Sequence, residues 1–163
     1  MNPLHPNFVT GFSDAEGCFY IQIIKDSSYK TGYRVQAIFI IGLNIKDITL
    51  LKRIQSFFNA GNIYTQDNKV YYKLSSIKTL SILINHFEKY PLRTQKHADF
   101  LLFKLIVEII NRKEHLTPEG LQKIINLKAS LNQGLSDTLK AAYPNITAIV
   151  RPLTIDQIIP SPY

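Results

Sequence analysis

Cysteine is nearly missing from this 163-residue chain: Cys18 is the only one. The sequence therefore closes no disulfide within the chain and builds no cysteine-based zinc site, which fits a reducing compartment. Long apolar runs are missing too. The longest, residues 100–110, is interrupted by Lys104 and Glu108 and is shorter than the roughly 20 residues a bilayer span needs. Met1-Asn2-Pro3-Leu4-His5-Pro6 contains neither an apolar signal region nor an Arg-rich amphipathic segment, so no signal or transit peptide is expected. There is also no basic run, which excludes a cationic tail as the source of the net charge. That charge is +7, from 19 Lys and Arg against 12 Asp and Glu, and it must be spread over a folded surface. Such a surface suits a polyanion, nucleic acid or an anionic membrane face. With 45% hydrophobic residues and the length of one domain, the chain is not a disordered polypeptide.

What is present is organised around residues 8–17, Phe8-Val9-Thr10-Gly11-Phe12-Ser13-Asp14-Ala15-Glu16-Gly17. The spacing predicts two turns of helix, opened by Asn7 as N-cap after Pro6 and closed by Gly17 as a left-handed cap. Phe8 and Phe12 read as a core stripe. Gly11 and Ala15 form a bare face that another helix can approach closely. Glu16 then falls in the last turn, where the macrodipole disfavours a carboxylate and the last carbonyls, such as that of Ala15, lack helical partners. A carboxylate beside free carbonyl oxygens is a donor set for a hard divalent cation.

After Gly17 the pattern changes to period two. Residues 18–25 and 33–42 predict a hairpin joined by the polar segment Asp26 to Gly32, with Lys25 and Lys30 near its tip. A helix over 45–58, with Asn44 as cap, precedes a tighter hairpin over 61–65 and 69–75 around Gln66-Asp67-Asn68. Helices are expected over 77–88, 94–112 and 118–131, the last starting from Thr117 with Pro118 at its first position. Beyond Asp137 periodicity is lost and Pro144, Pro152, Pro160 and Pro162 predict an extended segment. The expected division is a domain over 1–135 and a tail or linker over 136–163. The order is α-β-β-α-β-β-α with additional C-terminal helices, an α+β fold with helices on one sheet face.

The other sheet face offers a nucleic-acid surface: Tyr20, Gln22, Arg34 and Gln36 from the first hairpin, and Tyr64, Gln66, Lys69, Tyr71 and Lys73 from the second. Gln pairs bidentately with adenine and Arg with guanine, Lys serves bases or phosphates, and a two-stranded ribbon fits the major groove. Ile24, Ile38 and Ile40 are too apolar for a solvated face, but on DNA they would meet thymine methyl groups. Lys30 at the tip suits a phosphate.

Gly11-Phe12-Ser13-Asp14-Ala15-Glu16-Gly17 resembles the signature of the LAGLIDADG homing endonucleases. The segments His86 to Leu92, Thr94-Gln95-Lys96, Asn111 to Leu116 and Lys128 to Leu135 resemble later landmarks of one repeat in the fungal organellar, single-chain branch, in the family's order. The resemblance implies an αββαββα repeat whose antiparallel sheet forms a DNA-gripping saddle. It implies Glu16 as metal ligand, Mg²⁺ or another divalent cation as cofactor, and Lys96 as a stabiliser of the transition-state phosphate. It implies a double-strand break in a long, pseudo-palindromic DNA site. Because one repeat carries half of a two-carboxylate site, it also implies a homodimer or a second repeat, meeting through Phe8, Gly11, Phe12, Asp14 and Ala15. An organelle such as the mitochondrion, and no membrane, go with that habit. Leu43 departs from the polar residue some dimeric members carry nearby. An intron maturase or non-cleaving relative, and a generic basic interaction domain, are the other readings.

Overall fold

The computed structural model describes residues 2–131, 134–147 and 149–154. Helix α1 (Pro6–Glu16) runs straight into β1 (Gly17–Lys25), which turns back as β2 (Tyr33–Asn44). A 3₁₀ turn leads to α2 (Ile48–Phe58), followed by β3 (Asn62–Gln66), β4 (Lys69–Leu74) and α3 (Ile77–Lys89). Then come α4 (Lys96–Asn111), α5 (Pro118–Ala129) and α6 (Asp137–Ala142). The four strands form one antiparallel sheet in the order β1-β2-β4-β3, so the second strand of each hairpin lies in the middle. This is the α+β order expected from periodicity.

Register divides the sheet cleanly. Phe19 pairs with Phe39, Ile21 with Ala37, and Ile41 with Tyr72, and all of them are buried on the helix side. Phe19 gathers Phe39, Phe87, Phe100 and Phe103 within 4.9–5.8 Å between ring centroids, locking β1 and β2 onto α3 and α4. Tyr72, fully buried, keeps its phenol satisfied by donating to Ala60 O at 2.8 Å, and burial holds its pKa above the ordinary value.

Several local expectations are corrected. His5, rather than Asn7, is the N-cap of α1: its Nδ1 accepts from Asn7 N at 3.2 Å, with Pro6 at the first helical position. Gly17 is extended (φ −77°), not left-handed. It is needed for close approach, since a Cβ there would lie 2.7 Å from Ser13 O and 2.8 Å from the Phe39 ring. Of the expected core stripe, Phe12 reaches only the edge of the core and Phe8 is outside it. Phe8 is 46% exposed and stacks at 6.0 Å on Phe12, which is half-buried against the edge of the core, while α1 fully buries Val9, Thr10 and Ser13.

The segment after 135 is not simply extended. Ser136 caps α6 by accepting from Leu139 N, Leu139 is buried, and Tyr143 and Ile146 pack against the core. Arg151 then returns to α4, and Thr154 is buried. The proline spacing hid this because one buried leucine in a six-residue helix carries no readable period. The end of the expected linker, 155–163, lies outside the described residues.

Candidate functional site

Glu16 is the last residue of α1, and no basic side chain lies in that turn to offset its charge. It is exposed, and among the described residues it has neither an ion pair nor a side-chain hydrogen bond. Two residues earlier, Asp14 does the opposite. Its carboxylate turns onto its own chain, accepting from Arg93 N at 2.7 Å, from Thr94 N at 3.2 Å and from the Thr94 hydroxyl at 2.5 Å. Asp14 was expected on the pairing face of α1, and these bonds direct it into the domain instead. Thr94 Oγ1 accepts in turn from Lys96 N at 3.2 Å, at the first turn of α4. The end of α1 and the start of α4 are thus fastened together, bringing the segments that carry Glu16 and Lys96 to one corner of the fold.

A second inter-helix bond fixes α1 further up. Thr10 Oγ1 donates to Tyr90 O at 2.9 Å and lies 3.0 Å from His86 Nε2. A hydroxyl has one proton, so the imidazole is the donor and Nε2 carries its hydrogen. Burial pushes the pKa of His86 down to about 4, which keeps the ring neutral. His86 therefore packs α3 against α1 and is not poised as an acid or base. Asp14 and Thr10 point inward, and Gly11 and Ala15 are left exposed beside Phe8 and half-buried Phe12. Nothing lies within 4 Å of a Cβ built on Gly11.

The open sheet face begins where Glu16 ends. Its rows read Cys18–Ile40–Lys73–Asn62, Tyr20–Ile38, Gln22–Gln36, Ile24–Arg34, Gly42–Tyr71–Tyr64 and Asn44–Lys69–Gln66. Arg34, Tyr64, Gln66 and Lys69 are exposed; Tyr20, Gln22, Gln36, Ile40, Tyr71 and Lys73 are half-buried; Lys30 is exposed in the hairpin connection. Tyr64 and Tyr71 stack at 5.1 Å, and Gly42 leaves room for the Tyr71 ring, which would lie 2.9 Å from a Cβ there. Partial burial and the neighbouring Tyr64 and Cys18 raise the pKa of Tyr20, so its phenol stays protonated.

Ile38 is corrected: it lies on this face but is 0% exposed, opposite Tyr20, and it floors the surface rather than reaching a ligand. Asn62 was missed, though the alternation that selected Tyr64 and Gln66 selects it as well. Asn44 shares the face but spends its side chain accepting from Lys46 N.

The donor set fits part of a divalent-cation site. Glu16 offers an unpaired carboxylate at a helix C-terminus, with the Ala15 carbonyl next to it in the chain. Among the described residues, however, no cluster of three or more His, Cys, Asp or Glu could hold a metal. A hard cation takes about six oxygen ligands, more than Glu16 and the Ala15 carbonyl provide.

The profile of the LAGLIDADG endonuclease family matches residues 9–107, from α1 into α4. The chain belongs to this family. It is 47% identical to "Probable intron-encoded endonuclease 2" of Neurospora crassa, over 91% of this chain and 34% of that protein. An "Uncharacterized 50.9 kDa protein in ND4 intron 1" of Podospora anserina is 45% identical over 72% of this chain and 27% of its own length. The crystal structure of the LAGLIDADG meganuclease I-CpaMI bound to uncleaved DNA superposes with a TM-score of 0.91 at 47% identity, covering 98% of this chain and 55% of that one. I-SmaMI bound to cleaved DNA gives 0.92 at 43%, covering 99% and 55%. This member of the family therefore spans about a quarter to a third of those curated relatives and about half of those solved chains. No helix among its described residues is long and apolar enough to cross a membrane.

Proposed function

We propose that this chain is one repeat of an intron-encoded, site-specific DNA endonuclease, working with a second repeat that completes its cleavage site. The observation that carries the reading is the Asp14–Thr94 tether, which joins an unneutralised Glu16 to the turn bearing Lys96 at the edge of an open, cationic sheet face.

In this reading the sheet grips the duplex. Arg34, Lys69, Lys73 and Lys30 supply phosphate or guanine contacts, Gln22, Gln36 and Gln66 address adenine edges, and Ile24 and Ile40 meet thymine methyl groups. Glu16 and the Ala15 carbonyl would hold Mg²⁺ or another divalent cation together with a carboxylate from the second repeat. When bound, such an ion lowers the pKa of water and offsets charge on a leaving oxygen. The Lys96 ammonium offsets negative charge as it grows on the phosphoryl group. Asp14 performs no chemistry and holds the Lys96 turn against α1. Phe8, Gly11, Phe12 and Ala15 form the face for the second repeat, whose helix can approach closely because Gly11 has no side chain.

The match to about half of each solved chain supports a second repeat within one longer polypeptide, with a homodimer as the alternative assembly. The intron-encoded relatives support an organellar setting such as the mitochondrion.

The test is selection of cleaved sites from a randomised duplex library with Mg²⁺, using the chain alone and fused to a second repeat. Double-strand breaks at one site by either form support the proposal. Duplex or RNA binding without cleavage by both assigns the chain to the non-cleaving branch.

A further inference from the structure

The turn that carries Lys96 is held from two directions, and only one of them is the Asp14 side. On the other side lies Arg151, in the chain that returns across α4 after α6. Its Nη1 donates to Asp99 Oδ1 at 2.7 Å and to Ser130 O at 2.9 Å, and its Nη2 donates to Gln95 O at 3.0 Å. Gln95 O is also the first acceptor of α4, taking Ala98 N at 3.0 Å. One guanidinium thus joins the start of α4, the end of α5 and the returning segment.

The placement of this cation is costly by default, because a helix N-terminus repels positive charge. Asp99, buried in the first turn of α4, offsets it, while the Arg151 side chain stays about one-third open to water. Here the bonds go to the residue immediately before Lys96 and to a carboxylate one helical turn beyond its start. Asp14 restrains residues 93 and 94, and Arg151 restrains residue 95, so the backbone leading into Lys96 has little freedom left.

We propose that Arg151 is a positioning residue for Lys96, acting through Gln95 O and Asp99. The fork geometry matters: two nitrogens must serve a carboxylate and two carbonyls at once, and a lysine at the same position provides the charge without the fork. The inference rests on the role of Lys96 proposed above, so the experiment separates the two.

Arg151→Ala and Arg151→Lys are compared with the unaltered chain, each assembled with the second repeat. Amide exchange at Ala98 and Asp99 should be about tenfold faster in both variants, through loss of charge-assisted bonds, while β1 and β2 keep their protection. Unchanged exchange at those amides, or acceleration spread evenly over the sheet, overturns the proposal. In single-turnover cleavage of the selected duplex at saturation, Arg151→Ala should slow the step about 10- to 100-fold at unchanged duplex affinity. The same substitution should add nothing in a Lys96→Ala background, and full additivity there overturns the coupling. If the unaltered protein cleaves no duplex, the endonuclease reading fails by itself, and the exchange pattern alone decides whether Arg151 fixes this turn.

Discussion

Asp14 and Thr94 are 80 residues apart in sequence, yet the Asp14 carboxylate accepts both the backbone N–H and the hydroxyl of Thr94. The bond joins the family's signature helix to the turn before α4, so it links local sequence motif to tertiary site. Asp14→Asn keeps one acceptor oxygen but places an amide N–H₂ against N–H donors. It should destabilise the chain by about 1–3 kcal/mol in urea unfolding and slow cleavage with Glu16 intact. A variant with unchanged stability and unchanged cleavage would remove the tether from the account.

Glu16 is the contrasting neighbour, exposed and unpaired. Glu16→Gln should leave the thermal midpoint unchanged within about 2 °C, since surface substitutions away from partners change stability by under about 0.5 kcal/mol. Duplex affinity should be kept while cleavage in Mg²⁺ is lost. Cutting at the parental rate would take the metal-holding role away from this residue.

The two glycines of the signature should respond with opposite signs. Gly17→Ala forces a Cβ against the Ser13 carbonyl and the Phe39 ring and should cost about 1–3 kcal/mol. Gly11→Ala meets nothing in this chain and should stabilise the isolated repeat by up to about 1 kcal/mol through helix propensity. A bulkier Gly11→Leu should abolish pairing with a second repeat, read by sedimentation. Pairing at parental affinity would move the interface off α1.

Acidification should weaken the fold through His86. Its folded pKa, about 4, lies below the ordinary value of 6.5, so the unfolded chain binds the proton first. The contribution is complete above pH 6.5, declines as pH falls through that window and is exhausted below about pH 4. Burial lowers His97 and His115 in the same direction. His86→Gln should flatten part of the loss between pH 6.5 and 4.5 in urea titrations. An identical pH slope in that variant would show that His86 is not the titrating group.

On the open face, Lys73 sits between Ile40 and Asn62. Lys73→Ala should weaken duplex binding without unfolding. A phosphate contact predicts a uniform loss and a salt slope smaller by about one, and a base contact predicts relaxed discrimination of roughly 1–3 kcal/mol at one position. Unchanged affinity and unchanged specificity would place the nucleic-acid surface elsewhere.

The sheet, its two faces and the helix order were legible because each rests on a local period. The orientation of α1 was not. Two phenylalanines outweigh Val9, Thr10 and Ser13 on any hydrophobic scale, and Thr10 is buried only because His86 and Tyr90, far along the chain, satisfy its hydroxyl. Glu16 stood out by its charge at the wrong helix end, whereas Lys96 came from resemblance to the family. Arg151 left no trace, since its partners come from three separate stretches of chain. Ile38 failed for a related reason: alternation gives the face, while depth on that face depends on the neighbours.

There is no loop between α1 and β1: Glu16 ends the helix and Gly17 begins the strand, wedged between Ser13 O and the Phe39 ring. Such a junction has no slack. In the proposed function, where the strand reads and the helix end carries the cleaving carboxylate, the offset between recognised and severed base pairs is a ruler of fixed length. Altering side chains on β1 can change which sequence is read, but the phase of the cut relative to that sequence should travel with the junction. Inserting one residue after Glu16 would lengthen the ruler, and the break would shift or vanish while the same bases are still gripped.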